Sequence, residues 1–278
     1  MSIAKNSTWQ EHKVLIWGKT YPELSTKYYE TVCTGGTLED GRFIRLYPIP
    51  FRYLSDDKLF SKYQWLKVKI MKSRDDPRPE SYKVNPESIS VIDSVPSDKK
   101  GWRNRSLLIF KDDKYQFKSA EALFERNKIT KISMGFVKPK SIDDIIIEER
   151  PKKELDDFLK KLAQNKEKSK QAQLFDFTVE EVKKLEFVSK RFKVYWHCDD
   201  PRCTGHKMSI LDWEAYELAR KVGVEKALEK LKAVLDVKKY DVGFFLGNFR
   251  LYQNAFAIGG IWYPKKATNS SQPTLFDL

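Results

Sequence analysis

The sequence predicts an α+β protein with a β-rich N-terminal half, which could form a small barrel, a smaller mixed α/β C-terminal half and a flexible tail. Short apolar or alternating runs dominate residues 13–147, helical spacing becomes frequent from Lys152, and residues 265–278 are polar. Hydrophobic residues make up 41% of the 278 residues and aromatic residues 13%, a balance typical of chains that fold around a packed core.

Most elements predicted for the first half are strands. Asp40-Gly41 is a turn pair, which favours a hairpin between two of the strands. In the run from Tyr63, Leu66 and Ile70 alternate with Lys67 and Lys69, so one face is apolar and the other is charged. In order, the predicted elements are strands at Lys13–Trp17, Tyr28–Thr34, Arg42–Tyr47 and Tyr63–Lys72, a helix at Ser119–Asn127, and strands at Lys131–Val137 and Ile142–Ile147.

The second half mixes helices with strands. Ser209 and Asp212 have the spacing of a capping box, which predicts that a helix begins at Ser209 and ends at Gly223. Asn165–Gln173 is polar and lysine-rich, which is typical of a linker or exposed loop. The other predicted elements are helices at Lys152–Gln164, Thr178–Leu185 and Val224–Leu235, and strands at Arg191–Trp196, Val242–Leu246 and Ala255–Tyr263.

These elements suggest a division into four parts. Residues 1–150 form a β-rich domain, 151–177 a helix and polar linker, 178–264 an α+β domain, and 265–278 a flexible tail. No run reaches the ~18 apolar residues that a membrane span needs, so no membrane partner is expected. Three cysteines are too few for a disulfide framework, and residues 1–13 lack an apolar signal core, so the expected location is the cytoplasm.

The charge of the chain points to a polyanionic partner. Lys and Arg exceed Asp and Glu by 52 to 39, which gives a formal net charge of +13. Such an excess repels itself within a compact protein and attracts nucleic acid. A proteome that places lysine on every surface would give the same composition.

Aromatic and basic side chains share one face of three predicted strands. Bases stack on aromatic rings for ~1–3 kcal/mol each while neighbouring cations neutralise phosphates, a pattern that suits unpaired nucleic acid. An ordinary two-sided sheet, with lysine stems covering apolar surface, is the alternative interpretation. The candidate nucleic-acid-binding residues are Phe43, Arg45 and Tyr47, then Trp65, Lys67 and Lys69, and finally Arg191, Lys193 and Tyr195.

A Cys/His cluster lies in the second half. Cys198, Cys203 and His206 have the spacing of part of a zinc site, and Cys33 could supply the fourth ligand and join the two halves. His197 precedes Cys198 on a predicted strand and would point to the opposite face, so it is left out. The alternatives are buried cysteines without a metal and a reactive Cys–His pair.

Two segments share the pattern Gln-x-x-Leu-Phe, one at Gln171–Phe177 and one at the C-terminus with Gln272, Leu275 and Phe276. This pattern resembles the peptide by which bacterial replication and repair proteins bind the DNA sliding clamp. The resemblance covers about five residues in each copy, and it implies a clamp as partner and DNA rather than RNA as the nucleic acid. For the first copy, an apolar plug that docks onto the core is an equal alternative.

Several further runs resemble a family of bacterial proteins to which no function is assigned. This resemblance implies that the runs belong to one protein type, and it implies no activity. The runs are Lys19–Pro22, Tyr29–Cys33, Arg45–Arg52, Cys203–His206, Asp212–Glu214 and Phe245–Asn248.

The leading hypothesis from the sequence is a DNA-associated accessory or processing protein that its tail recruits to the sliding clamp. The rival hypothesis is a nuclease or nucleic-acid-modifying enzyme with His206, Asp212 and Glu214 as catalytic candidates. The sequence leaves open whether the protein is an enzyme. Replication, repair and defence against invading DNA are all compatible with it.

Overall fold

Alternating apolar and charged residues make Gln64–Lys72 a strand with one buried face. The structure is a computed structural model, which describes residues 8–98, 102–174, 183 and 185–266. Leu66, Val68 and Ile70 are at most 1% exposed, whereas Lys67 and Lys69 face solvent. The predicted strand is confirmed, and its apolar face lines the interior of a barrel.

Seven strands form the first sheet: β1 Gln10–Lys19, β2 Glu23–Ser25, β3 Tyr29–Leu38, β4 Phe43–Ile49, β5 Gln64–Lys72, β6 Ser81–Val84 and β7 Ser90–Ser94. Five of them follow the order β1-β3-β4-β6-β5, and β5 pairs again with β1, which closes a barrel. β4 and β6 are parallel, and the other neighbours in the barrel are antiparallel. The small barrel expected in the first half is therefore confirmed.

The remaining strands are β8 Gln116–Phe117, β9 Met134–Val137, β10 Ser141–Glu149, β11 Lys190–His197, β12 His206–Ser209, β13 Gly243–Asn248 and β14 Phe256–Trp262. The helices are α1 Arg103–Ile109, α2 Ala120–Thr130, α3 Lys152–Leu174, α4 Trp213–Val222 and α5 Val224–Val234. The α+β class with its β-rich first half is confirmed.

The second half repeats the strand order of the first. β10, β11 and β12 pair in sequence, and a parallel bridge between Ile210 and Ile258 joins the end of β12 to β14. β14 pairs with β13, and β13 returns to β9, which immediately precedes β10. With β9 and β10 taken as one bent strand, this is again a Greek-key order with one parallel contact. The order is that of the OB-fold, a partly open five-stranded barrel.

The two halves divide between α1 and β8. β10 pairs with β11 along residues 141–149, so it belongs to the second barrel. The boundary expected at residue 150 would cut this sheet. Hydrophobic spacing reveals each strand but not its partner, which explains the difference.

The expected linker at Asn165–Gln173 is helical. α3 continues to Leu174, and Asn165 is fully buried with its amide donating to the carbonyl of Tyr29 at 2.9 Å. This contact with the first barrel anchors a helical turn that lacks apolar residues. The prediction of a linker or exposed loop at Asn165–Gln173 is therefore wrong.

The next helix also begins at a different residue from the one predicted. Ser209 ends β12, and Asp212 is the N-cap of α4, where its carboxylate accepts a hydrogen bond from the backbone N–H of Glu214 at 3.1 Å. Gly223 ends the helix as predicted. The predicted helix at 178–185 and the tail from residue 267 lie largely or wholly outside the described residues.

Aromatic side chains fill the space between the barrels. Trp17 of the first barrel stacks on Phe245 of the second, with ring centroids 4.3 Å apart. A Cβ atom on Gly35 would lie 2.2 Å from the Trp17 ring, so this packing requires glycine there. The barrels thus share an interface core, to which Leu15, Phe43, Phe136 and Trp262 also belong. Among the described residues, no helix is long and apolar enough to cross a membrane.

Candidate nucleic-acid interface and metal centre

Four potential metal ligands converge at one end of the second barrel. Cys198 follows β11, Cys203 lies in the next turn, His206 begins β12, and Glu121 lies in the first turn of α2. One ligand atom from each residue lies within 4.8 Å of the others. This cluster could hold a metal ion.

The separations from His206 suit a tetrahedral ion, whereas the Cys198 sulfur lies 2.7 Å from a Glu121 oxygen, which is a hydrogen-bond distance. Ligands bound at about 2.0–2.3 Å stand roughly 3.3–3.8 Å apart at the corners of a tetrahedron. The Nε2 atom of His206 lies 3.3 Å from the Cys198 sulfur, 3.4 Å from the Cys203 sulfur and 3.2 Å from a Glu121 oxygen. Burial and a hydrogen bond to Glu121 raise the pKa of the Cys198 thiol to about 12, so a metal must displace this proton to bind sulfur.

The fourth member of the cluster is Glu121, not Cys33. Cys33 lies on β3, where burial raises the pKa of its thiol and the charged Arg45 is its neighbour. The structure therefore corrects the prediction that Cys33 completes the site. His197 points away as predicted, and its Nδ1 atom lies 2.9 Å from Asp143.

Two of the proposed catalytic residues take part in an ion pair instead. The Lys62 ammonium lies 2.5 Å from Asp212 and 2.8 Å from Glu214. Burial alone would lower the pKa of Lys62, but these two carboxylates outweigh it and raise the pKa above its usual value. His206 belongs to the candidate metal centre, so His206, Asp212 and Glu214 do not form one site among the described residues.

The predicted binding face of β4 is largely covered. Phe43 is 1% exposed and stacks on Tyr115, and Arg45 is 4% exposed with its guanidinium donating to the Ser133 hydroxyl at 2.9 Å. Tyr47 alone remains open, at 48% exposure. Phe43 and Arg45 therefore stabilise the contact between barrels and do not face a ligand, which corrects their prediction as binding residues.

The other two predicted faces remain on the surface, but acids neutralise several of their cations. Lys67 pairs with Glu11 at 3.0 Å, Arg191 with Glu154 at 2.6 Å, and Lys193 with Glu148 at 2.5 Å. Lys69 is exposed, whereas Trp65 and Tyr195 are half-buried. Binding through these two faces stays a prediction.

A different aromatic–basic surface lies in the loop between β13 and β14, residues 249–255, which we call the aromatic loop. Phe249, Leu251 and Tyr252 are 40%, 78% and 71% exposed, and Arg250 is exposed between them. The Asn248 amide donates to the Gln253 carbonyl at 2.7 Å, and the Ala255 N–H donates to the Tyr252 carbonyl at 2.9 Å. The loop thus holds its apolar side chains outward within its own hydrogen-bonded frame.

The sequence around Asn248 predicts only a turn with polar side chains, so sequence reasoning missed the aromatic loop. The available signal was three large apolar residues within four positions, all outside any periodic element. Large exposed apolar residues that cluster in this way commonly mark an interaction site.

The fold and these two features define a protein with two OB-type barrels, a candidate metal centre and an exposed aromatic loop. A family model described as Domain of unknown function (DUF8757) matches residues 116–278, more than half of the chain, and the chain belongs to this family. A second model, Domain of unknown function (DUF8758), matches residues 10–111. The two matches meet where the barrels divide.

Comparison with solved structures adds only weak similarity. None of the curated proteins matches the sequence. Among solved structures, the crystal structure of the p204 HINb domain aligns with 92% of this chain and 98% of its own, at 10% identity and a TM-score of 0.29. A similarity at this level carries no argument about function.

Proposed function

We propose that this protein binds nucleic acid through the aromatic loop. The observation that carries the proposal is the exposure of Phe249, Leu251 and Tyr252 around Arg250. Unpaired bases stack on exposed rings, and a guanidinium neutralises phosphate. The net charge of +13 favours the same polyanionic partner. The OB-type strand order is compatible with it, since loops between strands four and five of such barrels often contact oligonucleotides.

The first test is Tyr252→Ala. We expect this variant to bind single-stranded DNA about ten-fold more weakly, because one stacking contact contributes ~1–3 kcal/mol. Fluorescence anisotropy at fixed salt measures the affinity. The control is Leu107→Ala, which removes a side chain of comparable exposure, 62%, from α1. Equal affinities for Tyr252→Ala and the control would refute the role of the loop.

We propose that the ion held by Glu121, Cys198, Cys203 and His206 is zinc. Two thiolates, an imidazole and a carboxylate form a ligand set that zinc accepts, and four protein donors favour a structural site over a catalytic one. The ion would join α2 to the β11–β12 turn.

We further propose, from the peptide resemblance, that this is a DNA-associated accessory protein. Its C-terminal residues would tether it to the sliding clamp. Gln272, Leu275 and Phe276 would be the anchors, and they lie outside the described residues. A tether raises the local concentration of the protein near DNA, so its own affinity for DNA can be weak.

Deletion of residues 272–278 tests the tether. We expect the truncated protein to lose clamp binding in a pull-down or surface plasmon resonance assay. Its affinity for free DNA should stay within about two-fold of that of the full chain. A Gln171→Ala variant, which alters the other copy of the pattern, serves as the comparison. Clamp binding that survives the deletion would contradict the assignment of the tail.

A further inference from the structure

The aromatic loop of the second barrel meets a loop of the first barrel. Residues 73–80 connect β5 to β6 in the first barrel, as the aromatic loop connects β13 to β14 in the second. Arg78 donates to the Asn248 carbonyl at 2.6 Å and to its side-chain oxygen at 3.2 Å. Arg250 donates to the Asp75 carbonyl at 3.4 Å. Equivalent loops of the two barrels therefore form one continuous surface.

Arg78 fixes this junction. Its side chain is 7% exposed, and Asp76 binds its guanidinium with contacts of 2.9 and 2.6 Å. A guanidinium that bonds to its own loop and to the end of β13 is held in one orientation, because its planar donors must satisfy both partners. The junction is thus a prearranged platform and not two independent loops.

Cations surround the junction. Lys83 of β6 pairs with Asp75 at 2.6 Å, and its hydrogen bond lowers the pKa of that carboxyl, with smaller contributions from Arg250 and Lys27. Lys83 and Arg250 therefore contact Asp75 from two separate segments, and Lys27 of a third segment contributes to the electrostatic potential there. The local balance is positive and favours phosphates.

The first barrel has two exposed tyrosines, one of which lies beside Lys27. Tyr28 is 38% exposed, with the Lys27 ammonium 5.1 Å from its ring centroid. Tyr47 is 48% exposed and accepts a hydrogen bond from Thr31, a residue of the strand that begins beside Tyr28. The first barrel therefore also presents exposed rings, in addition to those of the aromatic loop in the second barrel.

From this placement we infer that one single strand of nucleic acid crosses the junction between the barrels. Its bases would stack on Tyr28 in the first barrel and Tyr252 in the second, and its phosphates would contact Lys27, Lys83 and Arg250. A duplex keeps its bases stacked on one another, so it cannot use separated rings in this way. The inference rests on the proposed function and adds a path and a strand preference to it.

The test compares oligonucleotides of two lengths with the full chain. An oligothymidylate of about 6 nucleotides fits within the ~4–16 nucleotides that one barrel of this kind covers, and one of about 24 nucleotides exceeds that range. We expect Tyr28→Ala and Tyr252→Ala each to weaken binding of the long strand about ten-fold. Each should weaken the short strand no more than about two-fold, since a short strand can bind at either side. An oligouridylate of about 24 nucleotides tests binding of RNA, and a DNA duplex of about 24 base pairs tests binding of double-stranded DNA.

The possible outcomes distinguish failure of the inferred path from failure of the proposed function. If Tyr252→Ala weakens the long strand and Tyr28→Ala matches the Leu107→Ala control, the protein binds nucleic acid but the path across the junction is wrong. A duplex that binds as tightly as the single strand would also overturn the path. If the wild-type chain binds none of the oligonucleotides, the proposed function fails as well. A long strand that depends on both tyrosines supports the path, and the stronger of the DNA and RNA arms identifies the nucleic acid.

Discussion

Removal of zinc by a chelator should lower the free energy of unfolding of the wild-type protein by about 4 kcal/mol when the free ion had been a thousand-fold above its dissociation constant. The proposed ion would bind the folded chain, in which Glu121, Cys198, Cys203 and His206 lie close together, and would bind the unfolded chain less well. Cys203→Ser should abolish this sensitivity, because the hydroxyl replaces one of the two sulfur ligands. Urea unfolding with and without chelator, together with the metal content of the purified protein, measures both effects.

Cys33→Ser is the matched control for this experiment. The substitution is the same, but Cys33 lies on β3 outside the cluster. We therefore expect Cys33→Ser to keep one metal ion and the full response to the chelator. If the wild-type protein holds no metal and its unfolding midpoint does not move with chelator, the zinc centre is refuted.

The candidate metal centre shows how much of a site local spacing can predict. Cys198, Cys203 and His206 lie within nine positions, so a single turn brings them together and the sequence identifies them. Glu121 lies 77 residues before Cys198, and as an acidic residue in the first turn of a helix it resembles ordinary helix surface. Only the packing of α2 against the β11–β12 turn selects it over Cys33.

The predicted binding face of β4 shows what local sequence patterns cannot predict. Strand periodicity identifies correctly that Phe43, Arg45 and Tyr47 share a face, but it does not reveal that the second barrel covers most of that face. The division at residue 150 fails for a related reason, since the partner of β10 lies beyond a long helix. The single barrel of the first half could be predicted because its strands follow one another closely. The repeated strand order could not, because a helix or a helix pair separates the strands of the second half.

The second large expected effect is on stability, and it concerns the ion pair between Lys62 and Asp212 at the start of α4. Lys62→Met should lower the free energy of unfolding by about 3–5 kcal/mol, because it leaves Asp212 buried without a cation. The Asp212 side chain is 2% exposed and that of Lys62 is 5% exposed, so water can replace little of the lost interaction. Lys67→Met is the control: Lys67 and Glu11 are about half exposed, and an ion pair of that kind contributes about 1 kcal/mol or less.

The pH dependence and a double variant distinguish an uncompensated charge from lost packing. Burial raises the pKa of the Asp212 carboxyl, and loss of the Lys62 ammonium should raise it further. A carboxyl whose pKa is higher in the folded than in the unfolded state favours folding when protonated, so Lys62→Met should lose stability as pH rises through that folded pKa. Asparagine keeps the N-cap hydrogen bond to Glu214 without the charge, so adding Asp212→Asn should restore most of the loss and remove the pH dependence. A double variant as unstable as Lys62→Met would mean that packing of the lysine stem, and not the paired charge, stabilises this junction between the barrels.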